Sequence, residues 1–232
     1  MSGKDIYFLD TNVVINACEF IRVQKSGGNP ESCRVAHDSL NELVQSGHIV
    51  FLSPVTITEL CFLYHRWFYQ ERKRKEFAPF DEIFGRDATW ETTEEDRINT
   101  DLLIEDFIRE GQNIGIELSR VDQTDVMKLA RMLYKYSSPA VESYDIAIYA
   151  NAILENAKYI LHSDRRLSQA IDSVRKNYKD KVINDVITLF GEDKYPFIKS
   201  RKDLPCTQKP HKHKDGVLGK ALGFFKRDSP PV

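Results

Sequence analysis

No apolar run in the chain approaches the roughly 18 residues that suggest a membrane span. Its four cysteines, Cys18, Cys33, Cys61 and Cys206, are scattered without CxxC spacing, which argues against a zinc site or a disulfide frame. They read as reduced thiols, most of them small core residues. Neither sign of charge dominates: 33 Lys and Arg stand against 35 Asp and Glu. Affinity for a polyanion must therefore come from local basic patches. No internal repeat is evident. The first residues, Met1-Ser2-Gly3-Lys4-Asp5, lead straight into an apolar segment and leave no room for a secretory signal. The expectation is a soluble, cytoplasmic protein with no membrane partner. What is present, 232 residues of which 41% are hydrophobic, suffices for one large domain, alone or with an appendage.

Short apolar segments alternate with helical patterns. Ile6 to Leu9, His48 to Leu52, Ile114 to Leu118 and Lys158 to His162 read as strands, and Lys181 to Ile187 as a last one. Helices are expected from Val13 to about Val23 and from Glu31 to Gln45. Another opens at the Ser53-Pro54 cap and runs towards Lys75. Phe77 to Trp90 is irregular. A helix then follows the capping signals Thr92 to Asp96 and stops at Gly111. Asp122 to Tyr136 and the strongly apolar Ser143 to Asn156 are helical, as is a segment after Asp164 through Leu167 and Ile171. The alternation implies a mostly parallel sheet with helices on both faces. From Lys199 the chain becomes rich in Lys, Pro, Gly and His and reads as a flexible basic tail, 199–232. His211 and His213 form no metal set.

Four carboxylates sit in apolar surroundings, where a charge is costly unless something compensates it. Asp10 follows the first strand. Glu59 lies early in the helix after the second, Asp145 near the start of the most apolar helix, and Asp164 after the fourth strand. In a parallel sheet, strand ends and the helix starts that follow them share one rim. Clustered carboxylates repel and call for a counter-ion, and oxygen-only donors suit Mg²⁺ or Mn²⁺. Such an ion can assist hydrolysis of a phosphodiester. Each residue also has a plainer use: Asp10 and Asp164 as helix caps, Asp145 as a charge favoured at a helix start, Glu59 as a solvent-facing side chain.

Four segments resemble the PIN-domain nucleases, the fold of the VapC-type toxin ribonucleases. They are Phe8-Leu9-Asp10-Thr11-Asn12-Val13, Ser53 to Leu60 with Glu59, Ser143 to Ala152 with Asp145, and Tyr159 to Asp164. The resemblance implies a PIN-like three-layer fold over residues 1–198, with an inserted or elongated helical region at about 71–113. It also implies a divalent-metal site of Asp10, Glu59, Asp145 and Asp164, with Asn12 positioning it, and Mg²⁺ or Mn²⁺ as cofactor. Glu142 is an accessory candidate. The implied activity is endoribonucleolytic hydrolysis of RNA leaving a 5′-phosphate. An antitoxin or other protein partner, a toxin or defence role and a homodimer follow from the same likeness. Arg165 and Arg166 stand where many members keep a further acidic residue, which leaves a second metal position open.

Arg165 and Arg166 adjoin a proposed ligand and are candidates to hold a phosphate. Arg72, Lys73, Arg74 and Lys75, interleaved with aromatics from Trp67 onward, form a second candidate for nucleic-acid binding; the aromatics themselves read as core. The competing functions are a catalytically silent module that binds RNA or protein, and a structure-specific DNA nuclease. A phosphatase would want a second Asp where Asn12 stands.

Overall fold

Ile6–Leu9 forms strand β1, the middle strand of the sheet in the computed structural model. The structure describes residues 4–31, 33–85, 90–137, 143–195 and 203–211. β1 pairs with β2 (Ile49–Leu52) through Tyr7↔Val50 and with β4 (Tyr159–Leu161) through Phe8↔Ile160. β3 (Ile116–Leu118) lies beyond β2 and β5 (Cys206–Gln208) beyond β4, in the order β3-β2-β1-β4-β5, and every pairing is parallel. All five carboxyl ends therefore meet one rim. The direction in which strands are added reverses between β1 and β4, the position where open α/β sheets place their ligands.

Alternating side chains along β1 divide the core into two layers. Phe8 and Ile160 face helices α6 (Gln123–Tyr134), α7 (Ser143–Leu154), α8 (Arg165–Asn177) and α9 (Lys179–Phe190). Tyr7, Leu9, Val50 and Leu161 face α1 (Thr11–Lys25), α2 (Arg34–Gln45), α3 (Pro54–Lys75) and α5 (Glu94–Ile114). The short α4 (Phe80–Phe84) falls in the segment expected to be irregular. Helix, sheet, helix is the three-layer arrangement that the alternation implied. α7 is buried along its whole run from Ile146 to Leu154, as its apolar sequence requires. No helix among the described residues is long and apolar enough to cross a membrane.

Three readings are corrected. Lys181 to Ile187 is not a strand but part of α9: Val182 and Val186, spaced four apart, are both fully buried on one helical face. The last strand is instead Cys206–Gln208, inside the segment assigned to the tail, so ordered structure continues past residue 199. Its three residues carry no apolar alternation, and only pairing with β4 makes them a strand. Of the segment read as a basic tail, residues 199–202 and 212–232 lie outside the described residues. Finally, Gly111 does not end α5. The helix continues to Ile114 and stops at Gly115, whose φ of 95° is the left-handed conformation that glycine tolerates. A Cβ on Gly115 would also approach Val44 Cγ1 to 2.9 Å. Gly115→Ala is expected to cost more than about 1 kcal/mol in chemical denaturation, with an unchanged m-value.

Candidate active site at the carboxyl rim

Where β1 ends, the backbone N–H of Asp10 donates to the Leu161 carbonyl (3.0 Å), fixing the junction against β4. Asp10 occupies the N-cap position of α1, yet its side chain makes no capping bond. Its Oδ2 instead accepts from the Asn12 side-chain amide at 3.1 Å. The residue is only 1% exposed. Burial drives its carboxyl upward and the charge of Asp145 adds to this. The Asn12 hydrogen bond opposes the rise and Glu59 reinforces it, leaving the group at about 7 against an ordinary 3.8.

Glu59 arrives from the second turn of α3. Its Oε2 accepts from the Thr11 hydroxyl at 2.6 Å, so the first residue of α1 clamps a side chain 48 positions away. Asp145 comes from the first turn of α7. Asp10, Glu59 and Asp145 thus lie within electrostatic reach of one another around Asp10, delivered by three separate elements. Thr11 was not singled out in the sequence, although it stands inside the Asp-Thr-Asn run and is itself buried.

Asp164 is placed differently. It lies at the same rim, just past β4, but its Oδ1 accepts from the Arg166 backbone N–H at 2.6 Å and caps α8. Among the described residues, no three His, Cys, Asp or Glu side chains are gathered closely enough to enclose a metal ion. Glu142 lies outside the described residues.

The basic candidates also separate. Arg72 is bound to Asp96 (3.3 Å) and the Glu91 carbonyl, and Lys73 to Glu82 (2.7 Å) and Glu76. Arg74 lies over the Phe84 ring and reaches Glu71, as does Lys75. Arg72, Lys73 and Arg74 tie the end of α3 to α4 and α5, and by helix rise the four cations sit about 20–24 Å along α3 from Glu59. Arg165 and Arg166 are exposed at the start of α8, beside Asp164, and form no ion pair with the described residues.

An all-parallel sheet between two helical layers, with Asp10 just past the strand at which the order reverses, defines an open-sheet α/β protein. The family is specific: the PIN-domain family model matches residues 7–172, and the chain belongs to the PIN-domain family, a nuclease-type fold. No curated protein and no solved structure shows significant similarity to the chain.

Proposed function

We propose that the protein is a divalent-metal-dependent endoribonuclease. The observation that carries this reading is Asp10: buried, adjoined by the charges of Asp145 and Glu59, and raised to about 7. Such a group destabilises its own protein unless a positive ligand or a proton relieves it. Asp10, Glu59 and Asp145 would hold Mg²⁺ or Mn²⁺, with Asp164 as a fourth donor. When bound, the ion supplies Lewis acidity beside a phosphodiester. The side chains do the rest of the positioning: Asn12 orients the Asp10 carboxylate, Thr11 fixes Glu59, and Arg165 and Arg166 neutralise the phosphate of the RNA. The test is incubation of the full chain with single-stranded RNA and Mg²⁺ or Mn²⁺, beside a DNA flap substrate. RNA cleavage that EDTA stops is the expected result. RNA bound but left intact by a folded protein supports the silent-module reading.

Reversing both cations, Arg165→Glu with Arg166→Glu, is expected to raise KM for RNA at least about ten-fold. It should also flatten the salt dependence of binding by about 0.7 for each phosphate no longer neutralised. The melting temperature should not fall, because acidic residues are favoured in the first turn of a helix.

A further inference from the structure

Four polar side chains form one hydrogen-bonded chain at the ends of β2 and β3. The Ser53 hydroxyl accepts from the Val55 N–H at 3.1 Å, capping α3, and donates to Asn151 Oδ1 at 2.9 Å. Asn151 Nδ2 donates to Ser119 Oγ at 2.7 Å, and Ser119 Oγ donates to Glu155 Oε1 at 2.6 Å. Glu155 also accepts from the Arg120 N–H at 2.9 Å, and the Ser119 N–H is held by the Leu52 carbonyl at 2.8 Å. Ser53 and Asn151 are fully buried and Ser119 nearly so.

The direction of the chain is forced. The Glu155 carboxylate can only accept, so the Ser119 proton points to it and the Ser119 lone pairs are left for the Asn151 amide. That leaves the Asn151 carbonyl for Ser53. Asn151 is thus the one member that joins α7 to both the end of β2 and the residue after β3. A buried amide in an otherwise apolar helix is costly unless both its arms are satisfied, and here both are.

We propose that Asn151 is a positioning residue for the acidic centre. It fixes α7 against the start of α3, and so sets how deeply Asp145 is presented to Asp10 and Glu59. Asp145 lies six residues before Asn151, about 9 Å along the same helix axis, and Glu59 lies in the second turn of the helix that Ser53 caps. A slip or rotation of α7 would move Asp145 relative to Asp10 and to Glu59, which Thr11 holds. This inference rests on the nuclease reading for its activity readout, and on metal binding for an independent one.

The experiment compares the full chain with Asn151→Leu, Ser119→Ala, their double variant and Ile153→Val. Ile153 is a buried α7 residue outside the chain of hydrogen bonds, and its variant controls for loss of stability alone. Asn151→Leu is expected to lower kcat about 10- to 100-fold and to weaken Mn²⁺ affinity, read by electron paramagnetic resonance, by at least about 10-fold. KM for RNA should stay within about two-fold. The double variant should be no worse than Asn151→Leu, because both changes break one network. Ile153→Val should keep kcat and Mn²⁺ affinity. A folded Asn151→Leu with wild-type kcat and Mn²⁺ affinity overturns the proposal, as does an Ile153→Val that loses both equally. A wild type that cleaves no RNA removes the nuclease reading, and Mn²⁺ affinities then decide the role of Asn151. A wild type that neither cleaves nor binds Mn²⁺ removes both.

Discussion

Asp10→Asn is expected to abolish RNA cleavage, by at least about 10²–10³-fold, and at the same time to raise the melting temperature of the metal-free protein at pH 8. The two effects have one cause. The folded carboxyl titrates at about 7, well above the 3.8 of an unburied Asp, because burial and the charge of Asp145 oppose its ionisation. Folding therefore binds a proton in the intervening range, and wild-type stability falls as pH rises through it. Below about pH 4 both states carry the proton and the penalty is absent; above about pH 7 it is complete. Its upper bound is on the order of 4 kcal/mol. Asparagine keeps the shape and an acceptor for the Asn12 amide but carries no charge. Its advantage should be nil near pH 4 and full at pH 8, where about 2–4 kcal/mol corresponds to a rise of about 5–10 °C for a domain of this size. Calorimetry in EDTA at the two pH values measures it. A variant less stable than wild type at pH 8 would show that the Asp10 charge is relieved within the protein.

That stability conflict is partly legible in the order of residues alone. The apolar runs Ile6 to Leu9 and His48 to Leu52, and the predominantly apolar α7, announce buried elements because central parallel strands and core helices admit few polar residues. A carboxylate immediately after such a run is conspicuous. Other features depend on partners far away in sequence. Cys206–Gln208 is a strand only because β4 offers it an edge, and Lys181 to Ile187 contains β-branched residues whose helical spacing outweighs their strand preference. The site shows the same division. Asp10 stands out alone, whereas Thr11 matters only once α3 brings Glu59 to it, and Asn151 looks like an ordinary polar interruption until Ser53 and Ser119 meet it. The basic run at Arg72 to Lys75 shows the converse case. It is conspicuous in sequence, yet its charges are matched by Glu71, Glu76, Glu82 and Asp96.

Asp164→Asn is expected to behave unlike Asp10→Asn, and the contrast separates a ligand from a cap. Asp164 already holds the Arg166 N–H at 2.6 Å, a bond that an asparagine side chain can accept equally well. The substitution should leave the melting temperature within about 1–2 °C, because the cap is kept. Asp164→Ala removes the cap and should cost about 1 kcal/mol, or about 2–4 °C. Cleavage distinguishes the roles. As the fourth donor of the proposed site, Asp164 should lose about 10²-fold in kcat through Asn and Ala alike, since both delete the negative charge. Activity that survives in the asparagine variant and falls only with alanine would leave Asp164 a structural cap. The charge facing the ion would then come from Asp10, Glu59 and Asp145 alone.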